Sequence, residues 1–106
     1  MPEVILVARL TAKPGREAEV EAMYHGLMVP THAEAGCELY ALHRVKNNPA
    51  QLLFIEKWAS MEALTGHAAS AHMAVAKAAI EETLVEPWEL IFLDPIPGGD
   101  PAKGAL

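Results

Sequence analysis

The sequence predicts an α+β domain in which two helical regions cover one face of a four-stranded antiparallel sheet. Three observations support this prediction. Segments of strand character and segments of helical spacing follow the order β-α-β-β-α-β, a short polar turn separates the second and third strands, and 106 residues suffice for one domain with a hydrophobic core. We divide the chain into this domain, residues 1–94, and a Pro/Gly-rich C-terminal arm, residues 95–106.

The first third of the chain predicts one strand and one helix. Residues 3–11 are almost entirely apolar, which is typical of a strand that is covered on both faces. Residues 16–28 place apolar side chains at helical spacing, and Glu17 and Glu19 lie near the positive end of the helix dipole. Pro30 is expected to kink or end this helix.

Three further strands complete the predicted sheet. Residues 38–45 and 51–58 are joined by a tight polar connection, so we expect them to pair as an antiparallel hairpin. Residues 87–93 form the fourth strand.

A long helical region is predicted between the third and fourth strands, over residues 61–83. Ser60 is a good N-cap for it. We expect an interruption near residues 66–70, where Ser70 is a candidate cap for a second segment.

The predicted strands are apolar on both faces. Because two helical regions cover only one face, a second copy of the chain is expected to cover the other, as a homodimer joined sheet to sheet. In the third strand, one face carries Leu52, Phe54, Glu56 and Trp58, and the other carries Leu53, Ile55 and Lys57.

Composition excludes several classes of partner. The formal net charge is −6 and no cluster of Lys or Arg exists, so nucleic acid and anionic membrane surfaces are not expected to bind. The single Cys37 has no partner for an internal disulfide and is expected to be a small buried hydrophobe. The N-terminal segment lacks the features of a signal peptide, so we expect a cytoplasmic protein.

Three short motifs resemble the antibiotic biosynthesis monooxygenase family: Glu56-x-Trp58, the stretch from Ser60 to His67, and Ser70-Ala-His72-Met73. The likeness covers about residues 3–94. It implies a ferredoxin-like fold that dimerises into an α+β barrel. Members include quinol monooxygenases that need no metal or flavin, enzymes that process a furanone signalling molecule, and haem-degrading proteins.

The residues argue against haem and against a metal site. The resemblance to the haem-degrading members places Ala8 where they use Asn, and Lys77 near the position of their iron ligand. His67 and His72 are five residues apart, which on a continuous helix separates them by about 140° around the axis. The one metal site left open would combine His43 on the second strand with one of the other histidines, and the sequence does not favour it. We therefore expect no metal or other cofactor, with O₂ as co-substrate.

Chemistry without a cofactor requires an electron-rich phenol or quinol, a proton acceptor and an apolar slot for the ring. His67, His72 and Glu56 are the candidate catalytic residues, since an imidazole ordinarily titrates near neutral pH and Glu56 is a carboxylate on an apolar strand. Arg9 is a second-tier candidate. The candidate substrate-binding residues are Trp58, whose indole N–H is a possible donor, with Phe54, Tyr24, Met73 and His43; Tyr40 is a further possible donor.

Each candidate also has a purely structural interpretation. Trp58 and Phe54 suit a core, and Glu56 suits a salt bridge to Arg9 or Arg44 on a neighbouring strand. The expected function is a cofactor-independent monooxygenase that oxidises a quinol or related phenolic to a quinone. Two alternatives remain open: an isomerase or processing enzyme for a small oxygenated metabolite, and a small-molecule-binding module without turnover.

Overall fold

The computed structural model describes residues 2–106 and contains four strands and five helices within that range. The strands neighbour each other in the order β2-β3-β1-β4, and every neighbouring pair is antiparallel. This topology confirms the predicted α+β, ferredoxin-like fold. In chain order the elements are β1 (Val4–Thr11), α1 (Glu17–His25), α2 (Met28–His32), β2 (Cys37–Arg44), β3 (Gln51–Trp58), α3 (Met61–Ala68), α4 (Ala71–Ala78), α5 (Ile80–Thr83) and β4 (Glu89–Leu93).

Side chains alternate strictly between the two faces of the central strand β3. Leu52, Phe54, Glu56 and Trp58 are all buried, whereas the residues between them are only half-buried. The buried set packs with residues of α1 and α4 in one core, so this inner face looks toward the helices. The prediction that Phe54, Glu56 and Trp58 share a face is therefore confirmed.

The first helical region is shorter than predicted. Helix α1 ends at His25 instead of continuing to residue 28, and Gly26 follows as its C-cap. Pro30 then lies in the first turn of the separate helix α2, where a missing backbone N–H costs no intrahelical hydrogen bond. The chain thus accommodates the proline by starting a new helix rather than by kinking the old one.

The predicted interruption of the second helical region is present. Ser60 caps α3 by accepting a hydrogen bond from the Ala63 N–H, and Ser70 caps α4 by accepting one from the Met73 N–H. Ala69 lies between the two helices. The break changes the direction of the chain between His67 and His72, and this change determines the site described below.

The C-terminal arm contains no helix or strand. A turn around Asp100 folds it back, with the Ala102 N–H donating to the Asp100 side chain. The arm ends beside the interior strand β3, whose Lys57 Nζ donates to the carbonyl oxygen of Leu106 at 3.1 Å.

Within residues 2–106, none of the helices has the length and apolar character needed to cross a membrane.

The outer face of the sheet carries an apolar row that crosses all four strands. The row is formed by Ala41, Ile55, Val7 and Ile91, which are paired in register. The helices pack on the opposite face, and β4 is exposed along its whole length. Such an apolar surface is the kind that a second subunit covers, so the homodimer remains our prediction.

The dimer is tested by light scattering coupled to gel filtration. We expect a mass of twice the 11.4 kDa chain. Ile55→Asp places a charge in the centre of the apolar row and should give a monomer, because burying an unpaired carboxylate is costly. The matched control Val29→Asp lies on α2, where Val29 is 81% exposed, and should stay dimeric. A monomeric wild-type chain would contradict the prediction.

Candidate functional site

A small cavity lies between the inner face of the sheet and the helices. Its volume is about 70 Å³. Most of its wall is apolar, and its polar groups come from two tyrosines, Glu56, His67 and the indole of Trp88. The predicted site residues that line it are Tyr24, Tyr40, Phe54, Glu56, His67 and Met73.

Glu56 is the buried carboxyl group of the cavity wall, and it is only 5% exposed. The register of β3 places it between Leu6 on β1 and Tyr40 on β2. Its Oε1 accepts a hydrogen bond of 3.0 Å from the Trp58 indole N–H. Burial raises the pKa of the Glu56 carboxyl to about 7, against the opposing effect of that hydrogen bond.

The second oxygen of Glu56 is available to a ligand. Oε2 accepts no hydrogen bond within residues 2–106, and it is not among the fully buried polar atoms that lack a partner there. Since Glu56 lines the cavity, this oxygen retains access to it. The residue therefore combines a fixed oxygen, held by Trp58, with a free one.

Aromatic rings form one side of the cavity. Tyr40 and Phe54 stack with ring centroids 4.2 Å apart and an interplanar angle of 21°. Burial, followed by the charge of the nearby Glu56, raises the pKa of Tyr40 well above its ordinary value. The Tyr40 hydroxyl therefore keeps its proton and remains a hydrogen-bond donor.

A second tyrosine is held by Trp88. The Tyr24 hydroxyl accepts a hydrogen bond of 2.7 Å from the Trp88 indole N–H, and the two rings meet edge to face. Burial raises the pKa of Tyr24 above its ordinary value, and the hydrogen bond from Trp88 offsets only part of this rise. Because Tyr24 accepts from Trp88, its own O–H remains available as a hydrogen-bond donor.

His67 lies on α3 and is 3% exposed. Its Nδ1 lies 2.8 Å from Oε2 of Glu34. A carboxylate accepts only, so in the neutral ring Nδ1 carries the proton and Nε2 holds a lone pair. Nε2 has no hydrogen-bond partner within residues 2–106, and the ring lines the cavity between Trp58 and Tyr40, with centroid distances of 4.5 and 5.4 Å.

His72 meets the same carboxylate from the first turn of α4. Its Nε2 lies 2.9 Å from Oε2 of Glu34 and 3.2 Å from Oγ of Ser70. Ser70 Oγ also donates to the His67 carbonyl at 2.6 Å, which fixes the turn between the helices. A continuous helix would have separated the two imidazoles, but the break at Ser70 brings both onto Glu34.

The loop that carries Glu34 is fixed against α3. The Glu34 N–H donates to Thr31, and its carbonyl accepts from the Cys37 N–H, both at 3.0 Å. Gly36 follows, where a Cβ atom would collide with that of Ala63 on α3. The absence of a side chain at Gly36 therefore allows the close approach that places Glu34 beside the histidines.

Comparisons with known proteins agree with this fold. The family model described as antibiotic biosynthesis monooxygenase matches residues 3–79. The chain belongs to the antibiotic biosynthesis monooxygenase family. Rv0793 of Mycobacterium tuberculosis is 29% identical over 93 residues, a match that covers 88% of this chain and 91% of the relative.

Solved structures of similar chains extend the family likeness. The structure of PA3566 from Pseudomonas aeruginosa has a TM-score of 0.85 at 28% identity, and the match covers 91% of this chain and 96% of that one. The structure of Rv0793 has a TM-score of 0.84 at 27% identity, with coverage of 93% and 100%. This member of the antibiotic biosynthesis monooxygenase family therefore shares the fold of these proteins over nearly its whole length.

Several predicted site residues lie elsewhere than expected in this family member. Trp58 and His72 stand behind the cavity wall instead of lining it. The indole N–H of Trp58 is also not free for a substrate, because it is donated to Glu56. His43 is exposed on the outer face of the sheet, opposite Leu53, because odd-numbered residues of β3, and of β2 from Leu39 onward, point away from the helices.

The salt bridge that was the structural alternative for Glu56 does not form. Arg9 pairs with Glu89 on β4, and Arg44 pairs with Glu21 on α1. Both arginines are partly exposed, whereas Glu56 points into the core. Glu56 is consequently buried with one hydrogen-bond donor, the neutral indole of Trp58.

Two residues of the site were not predicted. Glu34 lies in a loop without periodicity, and its contacts are 33 and 38 residues away in sequence. Its proximity to Gly36 is the one available signal, because a glycine often marks a close approach of the backbone. Trp88 was assigned to the fourth strand but precedes β4, which leaves its indole free to reach Tyr24.

The raised pKa of Glu56 predicts a specific pH dependence of stability. The Glu56 carboxyl has a pKa of about 7 in the folded chain and an ordinary value of 4.5, so its contribution to stability is fully present below about pH 4.5. That contribution is lost as the pH rises to about 7, and the loss is on the order of 3 kcal/mol. Glu56→Gln should remove this part of the pH dependence in urea unfolding measured at fixed protein concentration.

A second variant separates this effect from a general loss of packing. Trp58→Phe keeps an aromatic ring but removes the donor that lowers the Glu56 pKa, so the carboxyl should titrate above about pH 7 in carbon-13 NMR. Equal pH slopes for Glu56→Gln and the wild type would contradict the assignment.

Proposed function

We propose that this protein is a cofactor-independent monooxygenase that oxidises a phenol or quinol to a quinone, with O₂ as co-substrate. The observation that supports this proposal most directly is Glu56, a buried carboxyl group with a pKa raised to about 7 in an otherwise apolar cavity. Membership of the antibiotic biosynthesis monooxygenase family supports the reaction class.

The reaction balances without an external reductant. Removing the phenolic proton gives a phenolate, which is electron-rich enough to transfer electrons to O₂. One oxygen atom then bonds to a ring carbon ortho or para to the hydroxyl, that carbon loses its hydrogen, and the second oxygen leaves as water. A phenol loses four electrons in becoming a quinone, a quinol loses four in becoming a hydroxyquinone, and O₂ gains the same four.

Glu56 is suited to be the proton acceptor. Its Oε2 is accessible from the cavity, while Trp58 holds Oε1 and so fixes the orientation of the carboxyl group. A base with a pKa near the working pH is most effective, because it is both available as the anion and able to hold the proton.

The other polar groups of the cavity suit the substrate oxygens. Tyr24 and Tyr40 line the cavity, keep their protons and are suited to donate to a phenolate oxygen. The neutral ring of His67 presents an Nε2 lone pair, which can accept a hydrogen bond from a second hydroxyl of a quinol. His67 acts here by positioning, with its own orientation set by Glu34.

The catalytic role of Glu56 is tested with an oxygen electrode and a panel of phenols and quinols. We expect O₂ uptake whose kcat rises as the pH increases through about 7, because Glu56 must be unprotonated to act as base. Glu56→Gln should lower kcat by ~10²–10⁴-fold, the usual contribution of a general base. His25→Ala, exposed at the end of α1, is the control and should leave kcat unchanged.

The alternative functions give different results in the same assay. An isomerase would convert its substrate without O₂ uptake, and it would still depend on Glu56 for proton transfer. A binding module would bind a small molecule with no product formed. Either outcome with every phenol and quinol tested would replace the monooxygenase proposal.

The size of the cavity predicts substrate preference. A volume of about 70 Å³ is less than half of the ~150 Å³ cavity known to hold a benzene molecule, so even one ring requires side chains to move. Met73 is the flexible member of the wall. Met73→Ala should therefore raise kcat/KM for two-ring phenols relative to single-ring phenols by ~10-fold or more.

The matched control for this substitution lies on the same helix. Val75 is 69% exposed on α4, so Val75→Ala should leave the ratio of kcat/KM values unchanged. Met73→Ala is expected to cost ~2–5 kcal/mol of stability. Circular dichroism is therefore recorded to check that the variant is folded. An unchanged or lower ratio in folded Met73→Ala would contradict the role of this side chain.

A further inference from the structure

We propose that Glu34, His67 and His72 form a binding site for one divalent transition-metal ion, which we call the Glu34 cluster. Its ligands would be Oε2 of Glu34, Nδ1 of His67 and Nε2 of His72. This site is separate from the proton chemistry assigned to Glu56, and its test does not depend on that function.

The three ligand atoms are already close together. The two nitrogens lie 2.8 and 2.9 Å from the same oxygen, and all three atoms lie within 4.8 Å of one another. An ion bound at ~2.0–2.2 Å needs neighbouring ligands ~3.0–3.5 Å apart. Each nitrogen therefore has to move ~0.1–0.7 Å away from the oxygen, and the two nitrogens, which lie within 4.8 Å of each other, have to come within ~3.5 Å to admit an ion.

Two imidazoles and one carboxylate define the class of ion. This donor set suits zinc, iron, cobalt and nickel rather than the hard cations calcium and magnesium, which prefer oxygen ligands alone. Three protein ligands leave at least one coordination position for water or another small ligand. His67 is 4% exposed at its side chain, whereas those of Glu34 and His72 are both 21% exposed, so the cluster is open on one side.

Charge and backbone structure favour an ion over a simple hydrogen-bonded network. Within residues 2–106, Glu34 forms no salt bridge with a lysine or arginine, and the two imidazoles are its only ionisable partners. The helix break at Ser70 and the loop at Gly36 both serve to bring the three side chains together. Both imidazoles also converge on one oxygen, although the carboxylate offers two.

Metal binding would also alter the cavity. With an ion on Nδ1, the neutral ring of His67 carries its proton on Nε2. The atom that faces the cavity then changes from hydrogen-bond acceptor to donor. An ion at the Glu34 cluster would therefore favour a ligand that presents a carbonyl or phenolate oxygen over one that presents a hydroxyl.

The test is metal binding to the untagged, chelator-treated chain. Calorimetry with Zn²⁺ should show one saturable site per chain, and Co²⁺ should produce the visible absorption bands of a bound ion. Glu34→Gln and His72→Asn should each weaken binding by more than ~100-fold, since losing even an outer-shell partner costs ~10–100-fold. His25→Asn removes an exposed histidine at the end of α1 and should bind like the wild type.

Thermal unfolding provides a readout that does not rely on heat of binding. Zn²⁺ in excess should raise the Tm of the wild type and of His25→Asn but not that of His72→Asn, because only a folded-state site stabilises the fold. Circular dichroism identifies any variant that fails to fold. Because His72 is partly exposed, His72→Asn is the variant whose folding is least affected by lost packing contacts. Absence of saturable binding by Zn²⁺ and Co²⁺, or equal binding by folded His72→Asn, would overturn the proposal.

Discussion

The register of β3 between β1 and β2 is the constraint on which the site depends. Antiparallel pairing fixes Glu56 between Leu6 and Tyr40, and the two-residue period then commits Phe54 and Trp58 to the same face. A shift by one residue would exchange this set for Leu53, Ile55 and Lys57 and move the carboxyl group to the outer face. The cavity, the aromatic stack and the raised pKa of Glu56 all follow from one pairing.

The partner of Glu56 explains why the carboxyl group is chemically unusual. An arginine beside it would hold the carboxylate charged and lower its pKa, as expected for a structural ion pair. The chain instead supplies the neutral indole of Trp58, which orients one oxygen without compensating the charge. The arginines on the two neighbouring strands pair with exposed carboxylates instead, Arg9 with Glu89 and Arg44 with Glu21. Desolvation is therefore the largest influence on the pKa of Glu56. A buried carboxyl group without a cationic partner stabilises the core poorly, but it suits proton transfer.

How far the sequence determined these features differs from residue to residue. Strand β3 was predicted to its exact bounds because its period and its flanking turns are both local signals. The position of His43 on the outer face was not predicted, because the face of β2 that meets the helices depends on pairing with β3 rather than on the sequence of β2 alone. Glu34 was missed for a related reason: a loop residue has no period, and both of its partners are distant in sequence. Local structure was thus predictable where the sequence signal lies within one helix or strand. The site was not predictable at residues whose positions depend on contacts between several elements.

The break at Ser70 shows how one local feature assigns two roles to one histidine. Ser70 uses its hydroxyl both to cap α4 and to hold the last turn of α3, so the chain turns between His67 and His72. The geometric argument against shared coordination applies to a continuous helix and fails once the helix is interrupted. His67 then directs Nδ1 toward Glu34 and leaves Nε2 for the cavity. Because the proton of a neutral imidazole occupies one nitrogen at a time, whatever binds at the Glu34 cluster determines which kind of hydrogen bond the cavity receives.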